Sequence, residues 1–209
     1  GFNSVSFCIF ISLRFLFVLL LLRNYKWRRN CGRCDREPVF GSRFSFHPEA
    51  RGMPFFHPKG SIIYNELKNF WLEAQKEFGY ETILCPSMLD VSIWKKSGHW
   101  DHYKDDMYFV QADENKQFGL RPMDCPGAIL IYNNSRKSYR NLPLRYSEPG
   151  LITRKEKSGQ LGGLFRVQQF TQDDAHIFIR EDQLESEIKK VIQLIDKISS
   201  LDISYIFFK

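Results

Sequence analysis

Phe170-Thr171-Gln172-Asp173-Asp174-Ala175-His176-Ile177-Phe178 is the stretch on which the fold of this 209-residue chain turns. Side chains on an extended strand alternate between two faces, so Gln172, Asp174 and His176 share one and Asp173 points to the other. A core-facing strand would carry Val or Ile at those places. An amide, a carboxylate and an imidazole in a row describe a polar pocket instead. Asp173 reads as a structural or solvated carboxylate on the opposite face.

Upstream lies Thr153-Arg154-Lys155-Glu156. The same two-residue logic puts Arg154 and Glu156 on one face of a strand, with Lys155 turned away. A guanidinium fork matches phosphate oxygens; an ordinary cross-strand salt bridge is the competing reading of the pair. Arg166 begins the returning strand. The loop between, Lys157 to Gly163, holds Gly159, Gly162 and Gly163. Without Cβ atoms such a loop can approach a ligand closely, and it can equally be a flexible hairpin loop. Further upstream, Arg121-Pro122-Met123-Asp124-Cys125-Pro126-Gly127 places Pro126 in the first turn of a helix running to about Tyr132, with Cys125 at its start. Cys125 and His176 supply the sulfur and nitrogen donors that zinc prefers. Taken alone, they read as a small buried thiol and a half-buried histidine.

In this order, together with Gly52-Met53-Pro54-Phe55-Phe56-His57, Ser97-Gly98-His99-Trp100 and Ser138-Tyr139-Arg140-Asn141-Leu142-Pro143-Leu144-Arg145, these strings resemble the catalytic domain of the threonyl-tRNA synthetases, a class II aminoacyl-tRNA synthetase family. The resemblance runs from about residue 44 to about residue 200. It implies an α+β fold, a class II antiparallel sheet flanked by helices and incomplete at its C-terminal end. It implies ATP-dependent activation of L-threonine to threonyl-adenylate and transfer to tRNA(Thr). Arg154 and Arg166 are then the catalytic residues, at the α-phosphate with the amino-acid carboxylate and near the γ-phosphate. Glu156 reads the adenine end of ATP. Gln172 helps hold the substrate carboxylate, Asp174 accepts the threonine hydroxyl, and Met123 joins the substrate pocket. Cys125 and His176 are two of three zinc ligands, and Mg2+ accompanies ATP. In this family zinc contacts the amino and hydroxyl groups of threonine. A site built to satisfy a hydroxyl rejects valine by roughly 10⁴ or more, whereas losing one methyl, as in serine, is worth only about 1–3 kcal/mol. No protein nucleophile is required; positioning and electrostatic stabilisation suffice.

The resemblance divides the chain into an apolar and basic leader, residues 1–43, and the N-terminal part of the catalytic domain, residues 44–209, with motifs 1 and 2. Motif 3, the third zinc ligand (a downstream histidine) and the anticodon-binding domain are not matched, so the chain alone is expected not to aminoacylate. Charge follows the same division. Residues 1–46 hold eight Lys/Arg and two Asp/Glu, while residues 47–209 hold 22 of each, so the basic balance says nothing about the catalytic region's grip on tRNA. Val5 to Leu22 is largely apolar. Arg14 within it costs about 2.5–3.5 kcal/mol on insertion, and basic residues that follow the apolar run do not make a signal peptide. Cys31-x-x-Cys34 has no second pair at zinc-knuckle spacing. The five cysteines form no disulfide framework. A synthetase is expected in the cytoplasm, off the membrane, and as a homodimer. Two other classes stay open: a synthetase-derived binding module without catalysis, and a protein anchored to membrane through residues 5–22.

Local signals predict the elements. Ile62, Ile63, Leu67, Phe70, Trp71, Ala74 and Phe78 fall at helical spacing, and Gly79 suits the C′ position. Thr82–Cys85 reads as a strand entering Pro86, and this helix–strand–proline unit resembles class II motif 1, the family's dimer element. Asp90–Ser97 reads as a short helix stopped by Gly98, with His99 and His102 in a loop. Tyr108–Val110 and Phe118–Leu120 read as a hairpin. Further strands are expected at 142–151, 152–156 and 165–178. A last helix is marked by Leu184, Ile188, Val191, Ile192, Ile195 and Ile198, with Glu181 and Asp182 near its N-terminus.

Overall fold

A computed structural model describes residues 7–12 and 43–200. Its centre is a four-stranded sheet in the order β1-β9-β8-β4. β8 (Leu144–Thr153) and β9 (Gln169–Ile179) run antiparallel along their whole length, β1 (Phe7–Ser12) pairs antiparallel with the far edge of β9, and β4 (Glu81–Thr82) runs parallel to β8. A three-stranded sheet of β5 (Met88–Asp90), β7 (Lys116–Leu120) and β6 (Phe109–Asp113), and a short β2/β3 ribbon (Phe44–Ser45 with Phe55–Phe56), complete the strands. The helices and mainly antiparallel sheets make the expected α+β fold.

Two helices cover one face of the central sheet. α1 (Pro58–Glu77) begins with Pro at its first position, where the missing N–H costs nothing. It ends through Phe78 with Gly79 at φ +79°, a conformation other residues avoid. α5 (Leu184–Ser199) carries Val191, Leu194 and Ile198 inward. These pack with Ala74, Tyr80, Ala175, Ile177 and Ile179 as one core. The odd-numbered residues of β9 therefore serve the core. Asp173 lies on this face too, half-buried and accepting hydrogen bonds from the indole of Trp71 and the amide of Gln75. It is structural rather than solvated.

Several local expectations are corrected. The run 142–156 forms one strand ending at Thr153, so Arg154 and Glu156 lie beyond it. Arg166 makes only an isolated bridge to Gly162, and the returning strand starts at Gln169. The 82–85 strand shrinks to Glu81–Thr82, though Ile83 N still donates to Ser147 O at 2.9 Å. His99 and His102 sit on a short helix, α3 (His99–Tyr103), directly after α2 (Val91–Lys96). Ile62, Ile188 and Ile192 are exposed although their spacing matches the buried face. Residues 7–12, read as part of an apolar leader, form a sheet strand; the rest of the 5–22 run lies outside the described residues. Among the described residues no helix is long and apolar enough to cross a membrane.

Candidate active site

The second face of β8 and β9 is polar and sealed. Cross-strand pairing sets Gly150 opposite Gln172, Glu148 opposite Asp174 and Tyr146 opposite His176. Gln172, Asp174, His176 and Glu148 are each 2% exposed or less. The predicted sharing of one face by Gln172, Asp174 and His176 is thus what the backbone delivers. α4 (Cys125–Asn133) lies across this face, with Tyr132 stacked on Phe178 at 4.0 Å between ring centroids. Its N-terminal end reaches the middle of the sheet, where Asp124 N donates to Asp174 Oδ2 at 3.3 Å. Cys125, the first residue of the helix, is half-buried beside that contact. Gly127 lets the first turn pack on Cys85, since a Cβ there would fall 2.6 Å from the Cys85 sulfur.

Asp174 is held from two sides. Gln172 Nε2 donates to its Oδ1 at 2.7 Å while the Asp124 amide takes Oδ2. Burial nevertheless pushes its pKa up to about 6, against the two hydrogen bonds that lower it. Burial holds His176 down at about 4 against the pull of Glu148, so its imidazole is neutral at physiological pH, the form that binds metal.

Three residues outside the expected set complete the site. Arg121, 5% exposed, approaches Glu148 Oε1 at 2.6 Å and Asp124 Oδ1 at 2.9 Å. Glu148 Oε1 also accepts the Cys85 amide at 2.8 Å. Asp124 is 1% exposed, and burial raises its carboxyl to about 8; Arg121 opposes that rise, while Glu148 and Asp174 add to it. The pairing of Arg121 with Glu148 is tertiary and leaves no spacing to read in the sequence.

The remaining predicted residues divide into two groups. Arg154 stays with the pocket: its Nε donates to Pro122 O at 3.0 Å and its guanidinium lies 5.5 Å from the Phe170 ring centroid. Met123 is half-buried in the same segment, between Pro122 and Asp124. Glu156 and Arg166 sit at the outer rim, joined to each other by two hydrogen bonds of 3.0 and 2.8 Å to Glu156 Oε2. The salt bridge thus connects Glu156 to Arg166 rather than to Arg154. Among the described residues no three His, Cys, Asp or Glu side chains are grouped to hold a metal. Cys125 and His176 are nonetheless the sulfur and neutral nitrogen donors a zinc ion takes.

The arrangement is a buried polar face carrying a neutral imidazole, a half-buried thiol and the carboxyl groups of Asp124, Glu148 and Asp174, with Arg121 within it and Arg154 beside it. Residues 108–205 match the family model for the tRNA synthetase class II core domain (G, H, P, S and T). The chain is 54% identical over 153 residues to the threonine–tRNA ligase of Clostridium kluyveri, covering 73% of this chain and 24% of that protein. It is 53% identical over 155 residues to threonine–tRNA ligase 2 of Bacillus subtilis, covering 74% and 24%. Among solved structures it resembles the RNA binding domain of threonyl-tRNA synthetase from Cryptosporidium parvum, with a TM-score of 0.72 and 36% identity over 75% of this chain and 39% of that one. The chain thus spans about a quarter of the length of the curated relatives it matches.

Proposed function

Because this chain belongs to the threonyl-tRNA synthetase family of class II aminoacyl-tRNA synthetases, we propose that it carries the amino-acid-reading part of an enzyme that activates L-threonine with ATP and charges tRNA(Thr). The observation that carries this reading is the face shared by Gln172, Asp174 and His176, buried beneath the start of α4. Residues 44–209 are assigned to the catalytic domain, whose central sheet also takes up β1 from within residues 1–43.

Asp174 accepts the threonine side-chain hydroxyl. Its two protein hydrogen bonds fix the carboxylate plane before substrate arrives, so little reorganisation is left to do. Gln172 reaches the substrate carboxylate, and Met123 walls the pocket beside it. Zinc bound to Cys125 and His176 would supply a Lewis-acid contact for the amino and hydroxyl groups of the substrate. Arg154 neutralises the α-phosphate and the attacking carboxylate as their charges meet. At the rim, Arg166 turns from Glu156 towards the γ-phosphate of Mg2+-bound ATP, leaving Glu156 for the adenine end. The second copy of a homodimer and a cytoplasmic location belong to the same proposal.

Discrimination is the test. Titrated into the zinc-supplemented chain, threonine is expected to bind, serine to bind up to about 200-fold more weakly, and valine to be rejected by about 10⁴. Comparable binding of valine and threonine would overturn the assignment of Asp174. Binding of neither would overturn the reading of this face as an amino-acid site and favour a module without catalysis.

A further inference from the structure

Building on that reading of Asp174, we propose that Arg121 is the positioning residue of the pocket: it fixes Asp124, and through Asp124 both the Asp174 carboxylate and the first turn of α4. Arg121 touches no substrate in this reading. It stands one residue before the Pro122 carbonyl that anchors Arg154.

The guanidinium joins three separate segments. Its Nε donates to Leu151 O of β8 at 3.1 Å, and its Nη1 meets Glu148 at 2.6 Å, Asp124 at 2.9 Å and Cys85 O at 3.3 Å. The backbone of Arg121 is tied down as well: its amide donates to Ser87 O at 2.9 Å and its carbonyl accepts from Thr153 N at 3.1 Å. Side chain and main chain together lock the start of the 121–124 turn to β8 and to the segment after β4.

The far end of that turn carries the function. Asp124 N points at Asp174 Oδ2, and Cys125 follows as the first residue of α4. The Asp124 carboxyl has no other cation beside it among the described residues and neither of its oxygens makes a hydrogen bond, so the 2.9 Å approach of Arg121 is the polar contact left to orient it. Glu148 provides the counterweight, drawing the same Nη1 towards the sheet directly beneath Asp174. One buried cation thus sits between Asp124 and Glu148, while Asp174, across the strand from Glu148, has Arg154 as its nearby cation. Lysine would keep the charge but not the fixed fork, so it can replace only part of these contacts.

Arg121→Met alone strands the buried Glu148 carboxylate and invites unfolding, so the paired variant Arg121→Met/Glu148→Gln is the informative one, with Arg121→Lys beside it. In the full chain the paired variant should speed hydrogen exchange at the Asp124 amide about tenfold while amides of α1 and α5 keep their protection. Threonine affinity should fall at least about tenfold with ATP affinity unchanged, and Arg121→Lys should recover part of the loss. Unchanged protection of the Asp124 amide overturns the proposal. So does an equal fall in threonine and ATP affinity, which marks a merely structural role. If the unmodified chain binds no threonine, the functional reading fails, and the amide measurement alone decides the place of Arg121.

Discussion

Asp124 lies where Gly150 has no side chain: a Cβ at residue 150 would stand 2.2 Å from Asp124 Oδ2 and 2.6 Å from Oδ1. Contacts that short do not occur, so any side chain at 150 must push the carboxylate off β8. Gly150→Ala should cost about 1–3 kcal/mol, the range for overpacking a filled interior. It should also loosen the Asp124–Asp174 contact. Gly162→Ala, with nothing within 4 Å of its Cβ, is the matched control and should leave the urea midpoint nearly unmoved. A Gly150→Ala midpoint equal to that of the control would refute the close packing.

The pH dependence of stability follows from burial, and its sign differs by residue. Asp124, at about 8, and Asp173, at about 7, have folded pKa values above the ordinary 3.8, so the folded chain binds more protons than the unfolded one across that window. Stability from these two therefore falls as pH rises towards 8. His176, at about 4 against 6.5, works the other way: protonation favours the unfolded chain, and stability from it rises between those values. The two trends oppose each other below 6.5, and between 6.5 and about 8 the carboxyl decline remains. Asp124→Asn should flatten that upper decline in urea titrations run at successive pH values. An unchanged slope would mean that Asp124 ionises normally.

Arg145 of β8 reaches α5 with a two-pronged contact to Glu187, at 2.5 and 2.6 Å, and Lys190 adds a third bond at 3.0 Å. Burial would raise the Glu187 carboxyl, but the hydrogen bonds from Arg145 and Lys190 win and hold it below its usual value. Arg145→Ala should cost about 1.5–3 kcal/mol, since it removes both arginine bonds but leaves Lys190 on the carboxylate, while Arg145→Met/Glu187→Leu should recover most of the loss. Denaturant midpoints of the three proteins check this.

Arg166 and Glu156 make a contrasting pair at the rim, where the arginine side chain is 47% exposed. An exposed pair contributes about 0–1 kcal/mol. Arg166→Ala should therefore leave thermal stability almost unchanged while weakening binding of Mg2+–ATP. A large fall in melting temperature would recast the pair as part of the fold.

Much of this was legible because it is local. The alternation of β9, the proline start and glycine end of α1, the Asp90 cap whose carboxylate takes the Ser92 amide, and the hairpin of β6 and β7 each leave a pattern a few residues long. The end of β8 was not legible. Arg154 N still donates to Gln168 O, yet the Lys155 amide turns to Asp106 O, and only the folded chain brings residue 106 there. The exposure of Ile188 and Ile192 was hidden for the opposite reason: helical spacing identifies an apolar stripe but not how much of it a neighbour covers. The Arg121–Asp124–Glu148 network joins residues from two distant segments, and β1 joins β9 from the other end of the chain.

β9 gives its odd residues to the core and its even ones to the pocket. That economy makes the strand intolerant of changes in length. One inserted or deleted residue before Gln172 would turn the amide, carboxylate and imidazole into the oily layer and bring Ala175, Ile177 and Ile179 out to the pocket. Folding and chemistry would be lost in a single event, with no intermediate variant that keeps one of them. Variation along this strand can therefore proceed only by exchanging residues in place, and the spacing between its three polar side chains is as fixed as their identities.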